Sequence, residues 1–144
     1  HPVLTEMMQN KEATEIKLEW QHKDVNFKGF ADLLTTFNGK KCIVDIKTTN
    51  DAGKRFERDL YYNDYKMQLA MYQDQYDKDT DAYIVAIETT TPFNVQIYKL
   101  DDSLLFKGWM DYDYYTDKFK EWDGEPQGYS SSIVEVKTET EEIL

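Results

Sequence analysis

Apolar and polar positions alternate through residues 13–20 (ATEIKLEW) and 25–30 (VNFKGF), and this period of two predicts two half-buried strands joined by the polar turn QHKD. Two more strands follow at once: ADLLTTF runs into Asn38-Gly39 and returns as KKCIVDIK. Asn-Gly between apolar runs favours a two-residue type I′ turn, because both residues accept positive φ at little cost. With Asn38 and Gly39 as the loop, Phe37 pairs with Lys40, and the same register sets Asp32 opposite Asp45. Opposed side chains have Cβ atoms about 4.5–5.5 Å apart, a distance at which two carboxylates repel. Lys47, two positions past Asp45, shares their face. Two carboxylates and an ammonium are therefore expected at one end of a hairpin, unless a bulge near Gly29 or Ala31 breaks the register.

Beyond Lys47, TTNDAGKRFERDL reads as a loop entering a short helical turn. The next stretch, 63–77, has helical period, with Met67, Ala70, Met71 and Tyr76 on its apolar stripe. Gln68 and Tyr72 are four apart and stack on one face of that helix. DAYIVAIET and FNVQIYKL predict two further strands, the first apolar enough to be central. Asp101 or Asp102 can cap a last helix from about 103 to 122, stopped by Asp123-Gly124. Six aromatic residues on it (Trp109, Tyr112, Tyr114, Tyr115, Phe119, Trp122) have a spacing that suits packing against the sheet better than stacking on bases. Residues 1–123 make the core, and 124–144 a C-terminal tail whose alternating segment 132–137 resembles an edge strand.

A chain of 144 residues suits one domain with a core of its own. No apolar run approaches the roughly 18 residues of a membrane span, and the first 20 residues lack a signal-peptide layout, so a cytoplasmic protein is expected. The single Cys42 excludes an internal disulfide and Cys-based zinc or iron–sulfur centres, and is expected to be an inert core residue. A net charge of -11 argues against a nucleic-acid partner. Between Lys28 and Lys66, however, eight basic residues outnumber six acidic ones, and a divalent cation on Asp32 and Asp45 would make that segment more positive still.

The ordered set is Asp32, Asp45, Lys47, then a helix bearing Gln68 and Tyr72. Through GFAD at 29–32, IVDIKTT at 43–49 and QLAMY at 68–72, the chain resembles the PD-(D/E)xK nuclease superfamily. Within it, the resemblance is to phage and RecB-type exonucleases with a Gln-x-x-x-Tyr motif, most of all the exonuclease VIII (RecE-like) group, and it spans roughly residues 13–100. It implies an α/β, restriction-endonuclease-like core: a mixed central β-sheet flanked by α-helices. It also implies a Mg²⁺-dependent DNA exonuclease, with Mn²⁺ able to substitute, acting 5′ to 3′ on duplex ends in phage-type recombination or repair. A single-strand annealing protein would be its partner and a ring-shaped homo-oligomer its working form. A single-strand exonuclease, a structure-specific endonuclease and a non-catalytic DNA-binding or assembly module with the same fold are the alternatives.

The residue types suit that chemistry. Oxygen ligands from Asp32 and Asp45, with the Ile46 carbonyl and waters, favour octahedral Mg²⁺ or Mn²⁺ over zinc. Lys47 would orient or help deprotonate the attacking water and stabilise developing negative charge. The resemblance gives Gln68 a buttressing role and Tyr72 a contact to nucleic acid near the scissile or terminal phosphate. Lys54 and Arg55, from the basic segment, are further candidate nucleic-acid contacts. Glu15, and less so Glu19, is a candidate additional ligand, Glu15 matching the position where related nucleases place one. Related proteins also carry a His or Glu on a helix before the first strands. About a dozen residues precede that region here, so the core is expected to lack that helical segment; His1 and His22 are poor substitutes.

Overall fold

Two hairpin turns organise the first half of the sheet. Lys23-Asp24 (φ 49° and 65°) and Asn38-Gly39 (φ 51° and 73°) all lie at positive φ, the turn geometry whose twist matches that of the flanking strands. In this computed structural model, which describes residues 1–125, 133 and 135–138, the turns join β1 (Ala13–His22), β2 (Val25–Phe37) and β3 (Lys40–Thr49) into an antiparallel meander. Two strands were expected over 25–37; β2 is one continuous strand that changes face partway. Ala31 and Leu34 both enter the same core although they are three apart, so the strict alternation slips between them. The slip is shared by β1, where Glu15 has φ 50° between the pairs Thr14–Leu33 and Ile16–Ala31.

After β3 come α2 (Lys54–Tyr62) and α3 (Tyr65–Gln73), and the chain returns as β4 (Asp81–Glu88), which pairs parallel to β3. Parallel neighbours need such a crossover. α2 is a nine-residue helix where only a helical turn was expected; its buried Phe56 and Leu60, four apart, anchor it. β5 (Val95–Leu100) is antiparallel to β4, giving a five-stranded mixed sheet in the order β1-β2-β3-β4-β5. β4 is indeed the most buried strand: Ala82, Ile84, Val85 and Ala86 are all fully buried. The chain closes with α4 (Asp102–Glu121), whose N-cap Asp101 accepts a hydrogen bond from the Leu104 N–H at 2.8 Å.

Helices cover both faces of the sheet. On one, Ile43, Ala82, Ile84 and Ala86 meet Phe56 and Leu60 of α2, Leu69 and Tyr72 of α3 and Leu105 of α4. On the other, Leu33, Cys42, Val44 and Val85 meet Met7. Met7 belongs to α1 (Pro2–Gln9), a helix before β1 that the sequence reading missed; Pro2 in its first turn was the available signal. The Thr35 hydroxyl donates to the Met7 carbonyl at 2.6 Å and fixes α1 to the sheet. α4 lies on α3, where a Cβ added to Gly108 would stand 2.3 Å from the Lys66 carbonyl oxygen. The inward stripe of α4 is Leu105, Gly108, Tyr112 and Thr116. Of the six aromatic residues expected to pack, Tyr112 is buried and Trp109 partly so. Tyr114, Tyr115, Phe119 and Trp122 are at least half exposed, because six residues over fourteen positions cover more of a helix than one packed stripe.

The fold is thus α/β, with a mixed central sheet flanked by helices. Among the described residues, no helix is long and apolar enough to cross a membrane. In the segment 132–137, read as a tail or edge strand, the described residues 133 and 135–137 form no strand, and 132 and 134 lie outside the described residues.

Candidate active site

The β2–β3 ladder runs from Phe37–Lys40 to Leu33–Val44, each pair in the register the Asn-Gly turn dictates, and it ends one pair short of Asp32 and Asp45. Past that point the Ile46 N–H donates to Asp32 Oδ2 at 2.7 Å, a side chain serving where strand pairing has stopped. Asp45 continues the β3 face of Ile43 toward α3 and remains 4% exposed. Burial pushes its carboxyl up to about 6 from the ordinary 3.8, against the pull of Lys47 and with the help of the Asp32 charge. The Lys47 ammonium stands 2.9 Å from Asp45 Oδ2. That contact satisfies charge but falls outside hydrogen-bonding angles, so Oδ2 is a buried oxygen without a hydrogen-bond partner.

The ammonium points instead at α3. Lys47 Nζ donates to Gln68 Oε1 at 2.9 Å, Gln68 Nε2 donates to the Tyr72 hydroxyl at 3.3 Å, and Nζ lies 4.9 Å from the centre of the Tyr65 ring. The four-residue spacing of Gln68 and Tyr72 thus forms a chain of contacts ending on Lys47. Tyr72 is seated by Gly29 of β2: a Cβ there would lie 2.7 Å from its Cε1 and 2.8 Å from its hydroxyl. Sequence reasoning gave no role to Gly29 or Tyr65. A glycine inside a strand pattern is the standing signal for such a close approach; Tyr65 carried none.

The donor set fits a divalent cation. Asp45 offers a buried oxygen with no hydrogen bond, beside a second carboxylate, and Mg²⁺ is commonly held by one or two carboxylates while keeping several waters. Among the described residues, no three His, Cys, Asp or Glu side chains converge as a larger cluster. Glu15 lies across from Asp32 in the β1–β2 register, but its backbone has turned to positive φ and its side chain is exposed. Glu19 is exposed and paired with Lys17 at 2.9 Å. His1 caps α1 through its Nδ1, on the opposite sheet face from Asp45, and His22 is bound to Asp113 at 2.8 Å. Ile46 contributes its N–H to Asp32, as above. Lys54 and Arg55 are exposed at the start of α2, and neither forms an ion pair among the described residues.

Residues 1–126 match the family model of a PDDEXK-like domain of unknown function (DUF3799). Among solved structures, one named "Putative exonuclease" from Eubacterium rectale aligns with a TM-score of 0.62 at 15% identity, over 83% of this chain and 51% of that one. A second, SSO0001, aligns over 72% of this chain and 50% of that one at 22% identity, with a TM-score of 0.40 that carries no weight. The chain therefore spans about half the length of the solved structures it matches. No curated protein matches the sequence significantly.

Proposed function

The chain belongs to the PDDEXK-like family of that matched domain, and from this premise we propose that it is a divalent-metal-dependent DNA exonuclease hydrolysing phosphodiester bonds at strand ends. One observation carries the reading: the buried, hydrogen-bond-free oxygen of Asp45, set beside Asp32 and Lys47 where the β2–β3 ladder stops. A purely structural strand end has no reason to keep a carboxylate there, since a buried charge held by one ion pair, with a second carboxylate beside it and no hydrogen bond to its buried oxygen, is costly in a core.

Asp32 and Asp45 would hold the cation. Bound Mg²⁺ or Mn²⁺ supplies a Lewis acid for the scissile phosphate and a more acidic water. Lys47, fixed by Gln68, orients the attacking water and donates toward the negative charge that develops on the phosphate oxygens. Gln68 sets the direction of the ammonium, and Tyr72, which supports Gln68, faces the entering strand. The 5′ to 3′ direction, action on duplex ends and a recombination role beside an annealing protein follow from the motif resemblance, and belong to this proposal.

The test is degradation of end-labelled linear duplex and single-stranded DNA with Mg²⁺, Mn²⁺ or EDTA, run beside Lys47→Ala. Metal-dependent loss of label that vanishes in the variant supports the reading, and comparing 5′ with 3′ labels gives the direction. No cleavage with either metal, together with no metal binding by titration calorimetry, would leave a non-catalytic module of the same fold.

A further inference from the structure

Beside the Lys47–Gln68 contact lies a cleft of about 550 Å³. One wall is the corner between α2 and α3, which carries Tyr62 and Tyr65; the other is the β1–β2 hairpin, which carries Trp20 and Lys28; Gln68 and Tyr72 are in its floor. The cleft therefore opens onto the side chains that grip the candidate catalytic lysine.

Its walls are fixed in advance. The Trp20 ring stacks on Phe27, centroids 5.5 Å apart and planes 8° apart, its Nε1 donates to the Tyr112 hydroxyl at 3.0 Å, and it meets Tyr72 edge-on at 6.4 Å. On the opposite wall, Lys66 Nζ donates to the carbonyls of Tyr61 and Asn63 at 3.2 and 3.3 Å, tying down the turn that presents Tyr62. Tyr62 itself is 78% exposed. Its ring leans on Tyr61, centroids 6.1 Å apart and planes at 59°, and makes no other aromatic contact among the described residues, so it is left open to the cleft.

Size and chemistry select the occupant. The volume falls in the range of about 300–1,000 Å³ typical of sites for small molecules, enough for a terminal nucleotide and far too little for the flank of a duplex. Aromatic rings bind any base by its π-face, and that face is covered by neighbours inside a duplex. Lys28 in the wall, and Lys47 behind Gln68, supply positive charge for the phosphates, against the one acidic lining residue Asp64. Resting on the nuclease reading above, we propose that this cleft receives the unpaired terminal nucleotide of a DNA strand, its base stacked on Tyr62 and Trp20. The enzyme then acts on single-stranded or frayed ends, and a closed blunt duplex must open before it enters.

Three labelled oligonucleotides test this by fluorescence anisotropy in Ca²⁺: a single strand, the same strand with abasic residues at both ends, and a blunt GC-rich duplex. The wild-type protein should bind the intact single strand about 5- to 100-fold more tightly than the abasic one, the scale of one base–aromatic stack. Tyr62→Ala should erase that difference and Tyr62→Phe should keep it. Equal affinity for intact and abasic strands, a difference that survives Tyr62→Ala, or a blunt duplex bound as tightly as the intact single strand overturns the cleft assignment, while metal-dependent cleavage would still uphold the nuclease. Binding to none of the three overturns the nuclease reading itself.

Discussion

Asp45→Asn should make the metal-free protein more stable while abolishing its metal binding. Asparagine has the shape of the protonated carboxyl, so the substitution removes the charge and little else. A native value of about 6 against 3.8 in the unfolded chain means that ionised Asp45 opposes folding by about 3 kcal/mol above pH 6, at about 1.36 kcal/mol per tenfold. The sign follows from the raised value: the native state binds the proton more tightly than the unfolded state, so stability falls as pH rises from 3.8 through about 6. The side chain is 5% exposed, so solvent screening takes little from this figure. That figure is already net of the Lys47 contact; the burial of an amide reduces it, leaving an expected gain of about 1–3 kcal/mol at pH 8, or roughly 3–10 °C in melting temperature for a chain of this size. At pH 5 the gain should be about half as large, and it should vanish below pH 3.8. Thermal unfolding in EDTA at pH 8 and pH 5 measures both values; repeating it with Mn²⁺ should raise the melting temperature of wild type only. A variant less stable than wild type at pH 8, or a gain independent of pH, would refute the reasoning.

Three further outcomes are expected. Gly29→Ala puts a methyl 2.7 Å from the Tyr72 ring, where ordinary contact begins at 3.4 Å; the ring must shift by about 0.7 Å, and cleavage should fall by about a hundredfold with the melting temperature little changed. Unchanged activity would detach Tyr72 from the reaction. Gly108→Ala sets a methyl 2.3 Å from the Lys66 carbonyl oxygen, and the overpacking cost of about 1–3 kcal/mol or more should outweigh a helix-propensity gain of about 1 kcal/mol, lowering the urea midpoint. Cleavage at fixed, subsaturating Mg²⁺ should rise with pH through about 6, because Asp45 must shed its proton to bind the cation, and added Mg²⁺ should move that midpoint downward; a profile flat from pH 5 to 8 would count against Asp45 as a ligand.

How much of this was legible depended on whether a residue's partner lay nearby in sequence. The face shared by Asp32, Asp45 and Lys47 followed from Asn38-Gly39, because a two-residue turn leaves one register and a strand has a period of two. Gln68 with Tyr72 followed from helical spacing. Glu15 did not behave as pattern suggests, since its positive φ breaks the alternation that would have aimed it at Asp32. The long-range features were out of reach: Gly29 behind Tyr72, Tyr65 under Lys47, and Trp20 facing Tyr62 across a cleft all depend on where α3 docks against the hairpin. The aromatic residues of α4 were legible only in part: Tyr112 does pack on the β1–β2 hairpin, against Trp20, His22 and Phe27, while Tyr114, Tyr115, Phe119 and Trp122 fall off the one inward stripe and stay exposed.

The crossover topology separates the two halves of the site in time. Asp32, Asp45 and Lys47 lie on one hairpin closed by a two-residue turn, a unit that can form in microseconds. Gln68 and Tyr72 arrive only when β4 pairs with β3 and carries α3 onto the sheet, and such parallel, non-local pairing is slow. The expectation for φ-value analysis is high values near Asn38-Gly39 and low ones around Leu69. The nascent chain would then hold a cation-ready carboxylate pair before it has a positioned lysine, so its capacity to bind metal would precede its capacity to cut.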